Sequence, residues 1–175
     1  MEETTISTKN YILNYGLILG IAWIIYGFVR YITGNAINSN WTFLIVELLI
    51  HLSVIIYGIH AYKLANNGFL ELKKALKVGV GIAFIGVILA IFWKVILAYL
   101  IEPDLINQIV DARKEEIIQK KLDLSEEDIQ QNIALVKKLS SPLISSILVF
   151  ISNIIFGFII ALFAGAILQK NRDVY

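Results

Sequence analysis

The chain has no cysteine, and its 175 residues include only two prolines and a single methionine. Without thiols there is no disulfide framework, no cysteine nucleophile and no cysteine-type metal site, and nothing marks the redox compartment. Charge is scarce as well. Asp, Glu, Lys and Arg make up 17% of the residues, against about a quarter in an ordinary soluble domain. The net charge of +1 provides no cationic surplus for a nucleic acid. Glu47 and His51 stand at a helical ligand spacing, but His60 faces away and no HExxH pattern or carboxylate cluster completes their shell, so neither a metal nor a cofactor is expected. Hydroxyls such as Ser53 and Ser152 stand outside any nucleophile-elbow motif, and no catalytic constellation emerges.

What the chain has is apolar length. Hydrophobic residues make up 58% of it and the mean hydropathy is +0.74. Four windows hold the ~20 apolar residues needed to cross about 30 Å of hydrocarbon: Tyr11 to Ile32, Trp41 to Tyr62, Val78 to Ile101 and Leu143 to Leu168. The expected fold is therefore all-α, a polytopic membrane protein of four transmembrane helices forming one domain. The acidic start MEETTISTKN leads into an apolar run that is too long and wrongly flanked for a cleaved leader, so it reads as the first span.

Cations set the orientation. The second connection carries Lys63, Lys73, Lys74 and Lys77 and the tail carries Lys170 and Arg172, which places both termini in the cytoplasm. Arg113, Lys114, Lys120, Lys121, Lys137 and Lys138 in the third connection pull weakly the other way. Lys73, Lys74 and Lys77, interleaved with Phe69, Leu70, Leu72 and Leu76, are candidate contacts for anionic lipid head groups, and a topology signal explains them equally well. Trp41, Tyr11, Tyr31, Tyr62 and Tyr99 sit near span ends as interfacial aromatics do.

The third connection, 102–142, is patterned. Pro103 suits a first helical turn, and Leu105, Ile106, Ile109, Val110, Ile117, Ile118 and Leu122 recur at helical spacing. Ser125, ahead of Glu126, Glu127 and Asp128, reads as the cap of a second helix with the apolar stripe Ile129, Ile133, Val136 and Leu139, which stops near Pro142. The expectation is a helical hairpin outside the membrane, its apolar faces packed on each other or on a partner.

Within the spans, polar and small residues travel together. The first carries Gly16, Gly20, Trp23 and Gly27, then Arg30 or Tyr31; the second Glu47, His51, Gly58 and Tyr62; the third Ala83, Val87, Ala90, Lys94 and Ala98, with Gly79 and Gly86 beside them; the fourth Ser146, Asn153, Gly157, Ala161 and Gly165. Small residues let helix backbones approach, so these are the expected packing faces. Charged groups facing lipid cost at least a few kcal/mol each, so Glu47, His51, Lys94, Asn153 and Arg30 are expected to meet inside as a polar cluster. Glu47, counted from Trp41, and Lys94, counted from Ile101, fall about 9 and 10 Å below the same surface, so an ion pair between them is expected. Two roles fit the cluster: a structural clamp that fixes helix order, or a proton or solute pathway through Glu47 and His51.

Asn66, Asn67, Gly68 and Phe69 leading to Lys74, Ala75 and Lys77, then Glu102-Pro103-Asp104, Ser125 to Ile129, Ser141-Pro142 and the ending GFIIALFAGAILQK come in an order and spacing that resembles the bacterial domain-of-unknown-function family 4199. The resemblance covers nearly the whole chain. It implies a small multi-pass protein of the bacterial cytoplasmic (inner) membrane with a long loop before the last span, and it transfers no catalytic residue. Neighbourhood with a membrane-linked glycosyltransferase implies, by association, an envelope-glycan partner. The sequence thus points to a non-enzymatic accessory or scaffold protein that contacts membrane lipids and either a second copy or another membrane protein. The alternative is a small dimeric proton-coupled transporter.

Overall fold

The computed structural model describes residues 7–37, 40–119 and 125–171, of 117–119 the main chain alone. These are all-helical. The elements are α1 (Thr8–Ile32), α2 (Trp41–Ala65), α3 (Leu72–Ile96), which runs on through a π-helical turn at Leu97–Ile101, α4 (Leu105–Gln119), α5 (Glu126–Ser140) and α6 (Pro142–Leu168). Four of them, α1, α2, α3 with its π turn, and α6, are long and apolar enough to cross a bilayer. At 1.5 Å per residue, 25 residues reach about 37 Å, longer than the hydrocarbon. The protein is accordingly a multi-pass membrane protein. Lys120, Lys121, Leu122 and Arg172 lie outside the described residues, as do the side chains of Ile117 and Ile118.

The helix α3 is the centre. It packs most extensively on α1 and on α6, and α2 fills in against all three. Glycine decides both of the close faces. Toward α6, Ala75 meets Gly165, Gly79 meets Ala161 and Ala83 meets Gly157, each step four residues up one helix and four down the other. Side chains of one carbon or none let the antiparallel backbones come together over three turns. Past the helix ends, Leu70 and Lys170 exchange two backbone hydrogen bonds of 2.9 Å in the same antiparallel sense. Toward α1 the rule is glycine against a large side chain: Gly81 takes Ile12, Gly16 takes Ile85 and Gly20 takes Leu89, stepping in parallel. Gly86 receives Leu19, Gly27 faces Trp93, and Gly58 of α2 takes Ile82 and Tyr15. Gly79 and Gly86 therefore serve different neighbours. Ala90, half-buried, lies farther along α3.

The turn from α2 to α3 uses Asn67 (φ 55°) and Gly68 (φ 81°) in the left-handed region, with the Gly68 N–H bonded to the Lys63 carbonyl at 2.9 Å. α3 begins at Leu72, before the expected Val78, so Lys73, Lys74 and Lys77 are exposed residues of its first turns. At the opposite end, the π turn buries Leu97 and Ala98 against Leu105 of α4. Nothing in the local composition announced it. Pro103 precedes α4 instead of lying in its first turn.

The hairpin of α4 and α5 forms as the pattern required. Ser125 accepts from the Asp128 N–H at 3.2 Å, and the Asp128 carboxylate accepts from the Ser125 N–H at 3.2 Å, a capping box. α4 docks on the bundle through Leu105, which is buried in one cluster with Leu97 and Ala98; Ile109, Tyr31, Ala36, Ile37 and Trp93 pack against that cluster. α5 packs on α4 and, less extensively, on α6, and none of its residues is fully buried.

Gly157→Leu is expected to drive α6 off Ala83 and lower stability by about 3 kcal/mol, the upper end of overpacking costs. Ser152→Leu, on an exposed position of the same helix, should leave stability unchanged. Thermal unfolding in mild detergent, followed by tryptophan emission, checks both.

Candidate functional site

The ion pair and the buried imidazole of the spans lie in one half of the bundle. The fully buried residues Leu19, Ile55, Ile59, Val78 and Ile82, with Ala161 behind them, fill the half nearer the termini. Tyr26, Arg30, Glu47, His51, Lys94, Ser146 and Asn153 all lie toward the hairpin.

The centre of this half is Arg30, in the last turn of α1. Its Nη1 donates to Glu47 Oε1 at 3.0 Å, and the two side chains are 19% and 30% exposed. The rest of the fork turns to the connecting segment: Nε and Nη2 donate to the Asn35 carbonyl at 3.2 and 3.0 Å, and Nη2 reaches the Ala36 carbonyl at 3.5 Å. The guanidinium lies 4.7 Å from the Phe43 ring and 5.9 Å from the Tyr26 ring, while the Tyr26 hydroxyl donates to the Phe43 carbonyl at 3.0 Å. A cation at the negative end of a helix dipole, held by a carboxylate, two carbonyls and two aromatic faces, is well compensated. Tyr26 and Phe43 were not picked out by sequence reasoning. Tyr26 stands four residues before Arg30 and Phe43 four before Glu47, so both share a face with the residue they support.

The expected pair of Glu47 with Lys94 does not form. Glu47 takes Arg30 instead, and half-buried Lys94 makes no ion pair or hydrogen bond among the described residues. The reason is lateral. Lys94 stands on the helical face of Ala83, three turns on, and that face of α3 meets α6; Glu47 lies on the side of α2 that meets α1. Depth matched the two residues, but helix order separates them.

His51, a turn deeper than Glu47, is 5% exposed. Its ring centroid lies 5.8 Å from that of Trp23 at an interplanar angle of 53°, and the main chain of Asn153 faces it from α6. The Asn153 side chain turns back to the Val149 carbonyl at 2.9 Å, so this residue joins the cluster through its backbone. His51 Nε2 and Trp23 Nε1 are buried without a hydrogen-bond partner among the described residues, as is Ser146 Oγ.

Above Arg30 lies a cavity of about 560 Å³, with Arg30, Ala36 and Ile37 on one side and Ile109, Arg113 and Glu116 of α4 on the other. Arg113 pairs with Glu116. Among the described residues no three His, Asp or Glu come together as metal ligands. Chemically, the arrangement is a clamp between α1 and α2, roofed by α4, with an imidazole beneath it.

A family profile described as "Protein of unknown function (DUF4199)" matches residues 14–170. The chain belongs to the DUF4199 family. The match runs from the second turn of α1 to the residue that pairs with Leu70, so it takes in the whole bundle and the hairpin. No curated protein and no solved structure matches the chain. Within this DUF4199 member, the Asn66 to Phe69 run is the turn with two left-handed residues, and its Asn66 side chain donates to the Phe69 carbonyl at 2.9 Å. Ser125 to Ile129 is the capped start of α5. These motifs mark chain reversals and caps.

Glu47→Gln and Arg30→Met are each expected to destabilise the protein by roughly 1.5–3 kcal/mol, the worth of a charge-assisted hydrogen bond. Arg30→Met should cost more, because it also frees the Asn35 and Ala36 carbonyls. The double variant should cost less than the two single effects together, a coupling that a double-mutant cycle of unfolding free energies in detergent measures. Full additivity would show the pair to be energetically idle.

Proposed function

We propose that this DUF4199 protein is a non-enzymatic accessory or scaffold subunit of the bacterial cytoplasmic membrane. What supports the reading is where the one carboxylate inside the spans goes: Glu47 holds α1 to α2 through Arg30. Below it, the fully buried Leu19, Ile55, Ile59 and Ile82 form the middle of the core. What the bundle offers outward is apolar helix surface and a hairpin. Such surfaces suit a second copy or another membrane protein, and an envelope-glycan enzyme is the partner class the family resemblance suggested.

The orientation proposed with it puts both termini in the cytoplasm, because Lys63, Lys73, Lys74, Lys77 and Lys170 crowd that end. Lys73, Lys74 and Lys77, exposed on the first turns of α3, are then placed for anionic head groups.

One observation favours the second reading, a small dimeric proton-coupled transporter: His51 Nε2 and Trp23 Nε1 are buried and unpartnered one turn beneath Glu47. Titratable groups deep in a bundle are where proton relays are built.

Polymer-excised native membrane discs are expected to contain the protein together with a second subunit, which mass photometry counts; discs holding only single copies would overturn the scaffold reading. In proteoliposomes the wild type is expected to carry no pH-driven flux. A flux that Glu47→Gln abolishes while the protein stays folded would establish the transporter instead.

A further inference from the structure

The apolar residues of α5 divide between two faces. Ile129, Ile133 and Val136 are half-buried along one face, whereas Leu135 and Leu139, four residues apart on a neighbouring face, are 55% and 50% exposed. Leu143, at the start of α6, is 74% exposed. Charge is graded along the same helix. Glu126, Glu127 and Asp128 occupy its first turn, far from the span, and Lys137 and Lys138 its last, next to it.

The link to the membrane is short. Only Ser141 separates Ser140, the end of α5, from Pro142, the start of α6, and its extended backbone (φ −56°, ψ 139°) turns α5 off the axis of the span. Around this level lie the exposed Trp41, Tyr99 and Leu100, at the ends of α2 and α3 on the same side. Such residues collect at head-group depth.

We propose that the C-terminal half of α5 lies in the adjacent leaflet, with Leu135 and Leu139 among the upper acyl carbons and Lys138, on the flank of that face, among anionic phosphates. Two leucines alone bind a membrane weakly. Covalent continuity with α6 removes the cost of bringing the helix there, and the basic end sits where the lipid phosphates are. The acidic first turn points away from that surface. A consequence follows for the cavity above Arg30: a leaflet that fixes α5 also fixes α4, which forms its far wall.

The chain contains no cysteine, so single cysteines placed at 135, 139, 130 or 134 can each carry one nitroxide in an otherwise native protein. All four positions are exposed. In vesicles of phosphatidylethanolamine and phosphatidylglycerol, the ratio of oxygen to nickel-chelate collisions at 135 and 139 should be several-fold that at 130 and 134. Lys138→Gln should lower that ratio in these vesicles and leave it unchanged in pure phosphatidylcholine, whereas Lys137→Gln, on the face of positions 130 and 134, should leave it unchanged in both. Equal nickel access at all four positions would place the face in water and overturn the proposal. Loss of both collision partners at 135 and 139 would show a protein, such as a second copy, covering the face, and would overturn it too.

Discussion

The close approach of α3 to α6 is the constraint on which the rest of the bundle depends. Within lipid there is no hydrophobic drive to bring helices together, so association relies on dispersion contacts that only near backbones can multiply. Ala75, Gly79 and Ala83, opposite Gly165, Ala161 and Gly157, provide that nearness over three turns. The backbone pairing of Leu70 with Lys170 extends it beyond the helices. With α6 locked on one side of α3, the glycine notches at Gly81 and Gly86 are left for Ile12 and Leu19 of α1. α2 has no comparable stripe of its own. It carries one glycine, Gly58, and near the hairpin end it exposes Leu44, Ile45, Leu48 and Leu49.

That weakness gives the polar clamp its purpose. Where α2 lacks close packing, it is joined to α1 by Arg30 with Glu47 and by Tyr26 with the Phe43 carbonyl. Hydrogen bonds replace small-residue packing at the end where the latter runs out. The two devices are complementary along the membrane normal: apolar and dense near the termini, polar and directional near the hairpin.

Much of this architecture was legible in the chain. Apolar length marked the four spans and periodicity marked the hairpin, because burial in lipid and burial against a neighbour both leave simple patterns. The glycine stripes were legible as packing faces, but which helix each face meets was not: Gly79 and Gly86 look alike in sequence and serve α6 and α1 respectively. The same gap explains Glu47. Depth can be counted from a span end, so Lys94 was found at the right level, whereas lateral order depends on how all four helices pack. Connectivity held the missing clue. A connection of 33–40 forces α1 and α2 to be neighbours, and Arg30 is the charged residue in the last turn of α1. The π turn at Leu97–Ile101 had no signal in the local residues; what accompanies it is tertiary, the burial of Leu97 and Ala98 with Leu105 of α4.

The clamp also reaches outside the membrane. Arg30 holds the Asn35 and Ala36 carbonyls, and Ala36 and Ile37 pack against the cluster that holds Leu105 of α4. Glu47 thus fixes Arg30, Arg30 fixes the turn, and the turn seats the hairpin. A single carboxylate in the second turn of α2 is coupled in this way to the placement of an extramembrane element. This coupling ties a half-buried ion pair within the spans to the seating of a hairpin beyond them.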